Sequence, residues 1–186
     1  MIILYRDQAY DLVKKYLKDD KLIKHSLAVE AIMRSIALET NKDADLWGIT
    51  GLLHDLDYEY TKDFPDKHAT ITAQLLDGLL PEKAINAIKA HNYNHTDYIP
   101  TTSIDKALIA SDAVSGLIIA SALVMPSKSL SEVKYETLVK KFKDNSFAQG
   151  VSRKRIELCI DAGIKLENFL RISLKALQDI SDKIDL

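Results

Sequence analysis

All five histidines of this 186-residue chain fall between His25 and His95, and one of them forms the doublet His54-Asp55. In chain order the ionisable candidates read His25, His54-Asp55, His68, His91, His95 and then Asp112. Imidazole nitrogens together with carboxylate oxygens suit a divalent first-row ion such as manganese, iron, cobalt, nickel or zinc. Taken singly, a histidine on an apolar stripe is more commonly a satisfied core residue than a ligand. The recurrence of inward-facing histidines and aspartates in one stretch, with nothing comparable after Asp112, points instead to a metal site.

The local contexts sharpen this. Asp112 sits in Ala107-Leu108-Ile109-Ala110-Ser111-Asp112-Ala113-Val114-Ser115-Gly116-Leu117, where every nearby helix face is apolar or small, so its carboxylate needs a partner and a metal is the natural one. His25 is at helical spacing from Ala28, Val29, Ile32 and Ile36, and His91 extends the stripe Ala84, Ile85, Ala87, Ile88, which turns both rings inward. In the segment that ends at His54-Asp55, Gly48 and Gly51 share a face with Asp55. Each helix-interior glycine costs about 1 kcal/mol relative to alanine, so a pair on one face predicts a close helix–helix approach beneath the carboxylate.

Apolar residues recur at three and four along nearly the whole chain, and few runs alternate as an exposed-face strand would. The predicted fold is all-α, with helices over 8–18, 21–40, 44–55, 67–79, 82–92, 104–124, 130–143, 152–162 and 165–180. Asn41-Lys42-Asp43 before Ala44, Pro81 in a first turn, Ser152 before Arg153, and Gly163 mark breaks between them. The longer connections, 56–66 and 94–103, follow the doublet and the His91 region, where substrate-contacting loops are expected.

At 186 residues and 47% hydrophobic content, the chain suits one domain. A formal net charge of −2 gives no general reason for nucleic acid or a membrane surface as partner. The segment from Lys128 to Arg155 carries an excess of five positive charges; it reads first as the solvated face of two helices and second as a basic rim for a phosphorylated substrate. The single cysteine, Cys159, excludes an internal disulfide and fits a reducing cytoplasm. With no histidine after it and with Ile156, Leu158 and Ile160 around it, Cys159 reads as core rather than as a nucleophile. Met1-Ile2-Ile3-Leu4-Tyr5-Arg6-Asp7 has too short an apolar run for a secretory signal. The apolar run from Ala107 to Met125 contains Asp112, which costs roughly 2.5–3.5 kcal/mol at a membrane centre, and is read as a buried helix. The expected location is cytoplasmic.

His25, Leu53-His54-Asp55 and the Asp112 helix together resemble the HD superfamily of metal-dependent phosphohydrolases, over about residues 21 to 125, and are similar to its small bacterial and archaeal predicted hydrolases. The resemblance implies an HD-type helical bundle with additional C-terminal helices over about 126–186, all in one domain. It implies that His25, His54, Asp55 and Asp112 bind one metal, and that Asp55 bridges to a second held by His68 and His91. His95 departs from the pattern: it is a further ligand at i+4 from His91, a group that meets the substrate as a general acid, or a plain polar loop residue.

Two such ions, roughly 3.5–4 Å apart, would hold a bridging hydroxide and neutralise a transferring phosphoryl group. Asp55 is thus the central catalytic candidate, and Glu59, four residues on, could handle protons or support the ligands. No glycine-rich phosphate loop is present, so the metals and nearby basic residues would hold the phosphate. Lys67, beside His68, is the substrate-binding candidate, though it reads equally as a solvated lysine at a helix start. The expected activity is hydrolysis of a nucleotide or other small phosphate ester. The alternatives are a di-iron oxygenase built on the same ligand types and a non-catalytic nucleotide-binding sensor.

Overall fold

Residues 4–186 are described by a computed structural model; the reading of Met1 to Ile3 as lacking a leader lies outside the described residues. Among the described residues the secondary structure is helical, without a strand. The chain opens with α1 (Arg6–Tyr16) and α2 (Asp20–Glu39), followed by α3 (Ala44–Leu53) and the short α4 (Tyr58–Thr61) and α5 (Thr70–Leu75). Then come α6 (Glu82–His91) and α7 (Ser103–Leu123), and, after a 3₁₀ turn at Leu130–Glu132, α8 (Tyr135–Lys143), α9 (Arg153–Asp161), α10 (Leu166–Gln178) and α11 (Ser181–Ile184).

Local chemistry starts the helices that matter for the site. Asp19 accepts the Lys21 amide at 2.9 Å ahead of α2, and Asp43 accepts the Leu46 amide at 2.9 Å ahead of α3. Thr102 and Asp105 form a reciprocal capping box at the start of α7. Such side chains satisfy amides that the first helical turn leaves without partners.

The bundle is organised around the two long helices. α2 receives α3, α7 and α10, while α7 also receives α6 and α9. Buried apolar residues form one cluster from Leu4 to Ile184, with Ile32, Leu108 and Phe169 fully enclosed. α7 is long and apolar enough to cross a membrane by length and composition, but most of it is buried inside this bundle. A Cβ on Gly51 would lie 2.9 Å from the Val29 carbonyl oxygen and 3.0 Å from Met33 Cγ, so the α3 backbone comes up against the α2 backbone there. That is the close approach the glycine pair predicted.

Three segments differ from the sequence expectation. The helix expected over 67–79 is only α5, because Ala69 takes φ +70°, a left-handed conformation that interrupts a helix between His68 and Thr70. The helix expected over 130–143 is broken at Val133–Lys134, where the backbone is extended. Gln178 of α10 donates to the carbonyls of Leu130 and Val133 at 3.0 and 3.2 Å, which satisfies groups the break exposes. The connection expected over 56–66 contains α4.

Candidate metal centre

The ends of three helices and the middle of another converge on Asp55. His54 caps the C-terminus of α3, and its Nδ1–H donates to the Gly51 carbonyl at 2.7 Å. His91 ends α6 in the same way, donating from Nδ1 to the Ile88 carbonyl at 2.5 Å. A carbonyl can only accept, so both rings carry their proton on Nδ1 and turn Nε2 toward Asp55. His68 reaches the same point from the turn before α5, and its Nδ1 donates to Asp57 Oδ1 at 2.8 Å. His25, on α2, has Nδ1 3.3 Å from the Ser115 hydroxyl, which itself donates to the Asp112 carbonyl at 2.8 Å.

The four Nε2 atoms therefore face two carboxylates. Asp55 Oδ1 is 3.3 Å from His54, 3.4 Å from His68 and 3.3 Å from His91, and Asp55 Oδ2 is 3.6 Å from His25. Asp112 Oδ1 is 3.2 Å from His25 and 4.0 Å from His54. Two groups of three share Asp55: His25, His54 and Asp55, and Asp55, His68 and His91, each with its ligand atoms within 4.8 Å of one another.

Two observations test whether a cation fits here. His54 Nε2 is buried and has no hydrogen-bond partner. His68 Nε2 and His91 Nε2 stand 3.1 Å apart although both rings have committed Nδ1–H elsewhere. Acceptors pointed at acceptors on largely buried side chains call for a positive charge between them. Nitrogen and carboxylate donors, each oriented by a further hydrogen bond, are the set a divalent transition metal takes.

The protons report the same demand. Burial opposes the charged form of His54, yet Asp55 and then Asp112 outweigh it and raise this imidazole to about 9. Burial also opposes charge on His68, but Asp57 and Asp55 raise it, whereas burial and the nearby His54 hold His91 below its usual value. Burial would raise Asp55 and Asp112; the facing imidazoles, His54 for the first and His25 for the second, hold both below the usual carboxylate range instead. The field that keeps a proton on a fully buried imidazole is the field that attracts a metal ion.

A family model described as HD domain matches residues 22–117. This chain belongs to the HD domain family. HD domains bind divalent metals and are mostly metal-dependent hydrolases, and the histidines and aspartates gathered here lie within the matched stretch. Comparison with curated proteins and with solved structures gave no match.

Within this HD domain the structure brings together His25, His54, Asp55, His68, His91 and Asp112, and leaves three other candidates elsewhere. Glu59 turns away: its Oε1 accepts the amides of Lys18 and Asp19 at 2.7 and 2.6 Å, which ties α4 to the start of α2. The strong pull of two backbone donors explains why it does not reach the cluster. Lys67 is exposed, with Nζ 4.8 Å from the centre of the Phe64 ring. His95 is also exposed and lines a separate hollow with Asp66, Thr70 and Asp97. Neither Lys67 nor His95 lines the cavity over Asp55.

Asp112 has a second partner besides the cluster. Its Oδ1 faces His25 and His54, while its Oδ2 accepts a 2.8 Å hydrogen bond from Arg155 Nη2. Arg155 comes from α9, outside the matched region, in the segment that reads first as a solvated face and second as a basic rim for a phosphorylated substrate. Asp57 was missed as well. It is fully buried; Oδ1 holds His68, Oδ2 accepts the Thr72 amide at 2.8 Å, and its own amide donates to the Thr72 hydroxyl at 3.0 Å. The only signal for Asp57 was its position two residues past the doublet, and nothing in the basic segment singled out Arg155 from its seven basic neighbours. Cys159 is buried, and that burial pushes its thiol up to about 12, in keeping with a core role.

Proposed function

We propose that this HD domain protein is a metal-dependent phosphohydrolase that holds two divalent ions and acts on a small phosphate ester, a nucleotide among the candidates. The observation that carries the reading is the position of Asp55, shared by both ligand groups. One carboxylate common to two sites is what a pair of ions with a bridging ligand needs. His25, His54, Asp55 and Asp112 would hold one ion, and Asp55, His68 and His91 the other. Ions bound there supply a nucleophilic water at neutral pH and neutralise charge on a transferring phosphoryl group.

The chain's own residues do the positioning. Asp57 and the carbonyls of Gly51 and Ile88 fix the ring orientation of His68, His54 and His91, so each presents Nε2 without rearrangement. Above the ligands lies a cavity of about 400 Å³, with Leu22 and Tyr58 among its walls. This volume suits a small ligand rather than a polymer. The Tyr58 ring stands edge-on to His68, with centroids 5.5 Å apart, and shields that ligand on one side.

The test is elemental analysis of protein purified without chelator, followed by phosphomonoester and phosphodiester substrates with manganese, cobalt, nickel and iron. About two metals per chain and metal-dependent phosphate release are expected. Oxygen uptake by the iron-loaded protein without phosphate release would replace this reading with oxygenase chemistry. Nucleotide binding without turnover under all four metals would replace it with a sensor.

A further inference from the structure

Arg155 is the one lysine or arginine among the residues lining the metal cavity. Its Nη2 donates to Asp112 Oδ2 at 2.8 Å and to the His91 carbonyl at 3.1 Å, which uses both hydrogens of that nitrogen. Nε is buried without a partner, and Nη1 bonds to no described residue. The side chain is 23% exposed. A guanidinium has five N–H donors in a rigid fork, so three of them remain without a protein acceptor beside the metal ligands.

This guanidinium is also held in place. Ser152 accepts the Arg155 amide at 3.3 Å, which starts α9 just before it. Arg153 donates to six backbone carbonyls between Lys141 and Val151 and so fastens the connection from α8. α9 in turn packs on α7, the helix that carries Asp112. A permanent cation with spare donors, fixed in advance, binds an oxyanion at little cost in side-chain freedom.

We infer that Arg155 is a substrate-binding residue that clamps an anionic oxygen of the phosphoryl group, supplied to the HD site from the C-terminal helices. This rests on the phosphohydrolase reading and fills the role that the exposed Lys67 and His95 do not. Charge-assisted bonds of this kind are each strong enough to change affinity about tenfold or more.

The test titrates manganese-loaded wild type, R155A and R155K with inorganic phosphate by calorimetry, with metal content measured on each. Metal content at the wild-type level in R155A, with phosphate affinity lower by about ten- to one-hundredfold, is expected; R155K should lie between, since it keeps the charge and loses the fork. Unchanged phosphate affinity in metal-replete R155A would overturn the clamp and leave the hydrolase reading standing. If R155A sheds metal, R155K decides: weaker phosphate binding with metal retained supports the clamp, and wild-type affinity overturns it. Metal loss in both variants would assign Arg155 to holding Asp112 alone. A metal-loaded wild type that binds no phosphate would remove the clamp and the reading beneath it together.

Discussion

On one face of α2, His25 lines a cavity of about 400 Å³; on another, Glu30 and Arg34 line one of about 450 Å³. Both hollows are polar at the base, and both contain a buried carboxylate. In the larger one the buried carboxylate is matched within the protein: Arg6 donates from Nε and Nη2 to the two oxygens of Glu30, each at 2.9 Å, and the neighbouring Arg34 pairs with Asp45 at 2.6 Å. In the smaller one His54 Nε2 is left without a partner, two imidazole nitrogens face each other, and Arg155 keeps unused donors. Size does not distinguish the two. The difference is which cavity gathers buried ring nitrogens and carboxylates that the protein itself leaves unmatched, a costly arrangement that a bound cation would relieve.

The sharpest way to break this comparison is to remove one carboxylate from each cavity. Asp55→Ala should abolish metal binding and phosphate release while circular dichroism still shows a helical fold, because it takes away the ligand both groups share. Glu30→Gln should leave metal content and turnover as in wild type and lower stability by about 1–2 kcal/mol, since Arg6 is partly exposed and can be solvated. Wild-type metal content in Asp55→Ala, or metal loss in Glu30→Gln, would erase the distinction between the two sites.

A second experiment divides the metal cavity itself. The double variant His68→Ala/His91→Ala should lower stoichiometry from about two metals to about one, because His25, His54, Asp55 and Asp112 remain. Activity should fall further than metal content. Equal stoichiometry near one in both proteins, by elemental analysis per chain, would show that these two histidines are not ligands.

The pH dependence of stability should differ with and without metal. In chelated protein His54 is raised from 6.5 to about 9, so its stabilising contribution is complete below about 6.5 and is lost as pH rises through about 9. His68 is shifted in the same direction. Metal takes the place of the His54 proton, so the melting temperature of chelated protein should fall between pH 6.5 and 9 while that of metal-loaded protein should hold. Parallel thermal melts across this range check it, and identical slopes would show that His54 is not where the metal binds.

The smallest expected effect separates two glycines on one face of α3. Gly51→Ala must displace the backbone of α2 at Val29 and should cost about 1–3 kcal/mol, with a loss of metal affinity because His54 hangs from the Gly51 carbonyl. A Cβ on Gly48 meets only the flexible end of Arg34, at 3.0 Å, so Gly48→Ala should be neutral or stabilise by up to about 1 kcal/mol. Denaturant melts of the two variants measure the contrast.

Much of this was legible along the chain. Apolar residues at three and four predicted helices because one helical face must be buried, and that rule holds within a single segment. The Gly48/Gly51 pair marked a close approach for the same local reason. Where Ala69 takes a left-handed conformation, periodicity continued through a place where the backbone does not, since no side-chain pattern encodes a strained alanine. Glu59 looked available because nothing near it in sequence competes for its carboxylate; its partners are 41 and 40 residues away.

The all-α class and the kinds of donors a metal needs follow from residue type and short-range spacing along the chain. Which donors meet follows from the packing of whole helices. Packing α9 on α7 brings Arg155 to Asp112 across 43 residues, and the turn before α5 brings His68 to Asp57 across 11. Such pairings depend on how whole helices are placed against one another. A helix's own sequence specifies which face is buried, while the partner on that face is set by the helix that arrives there.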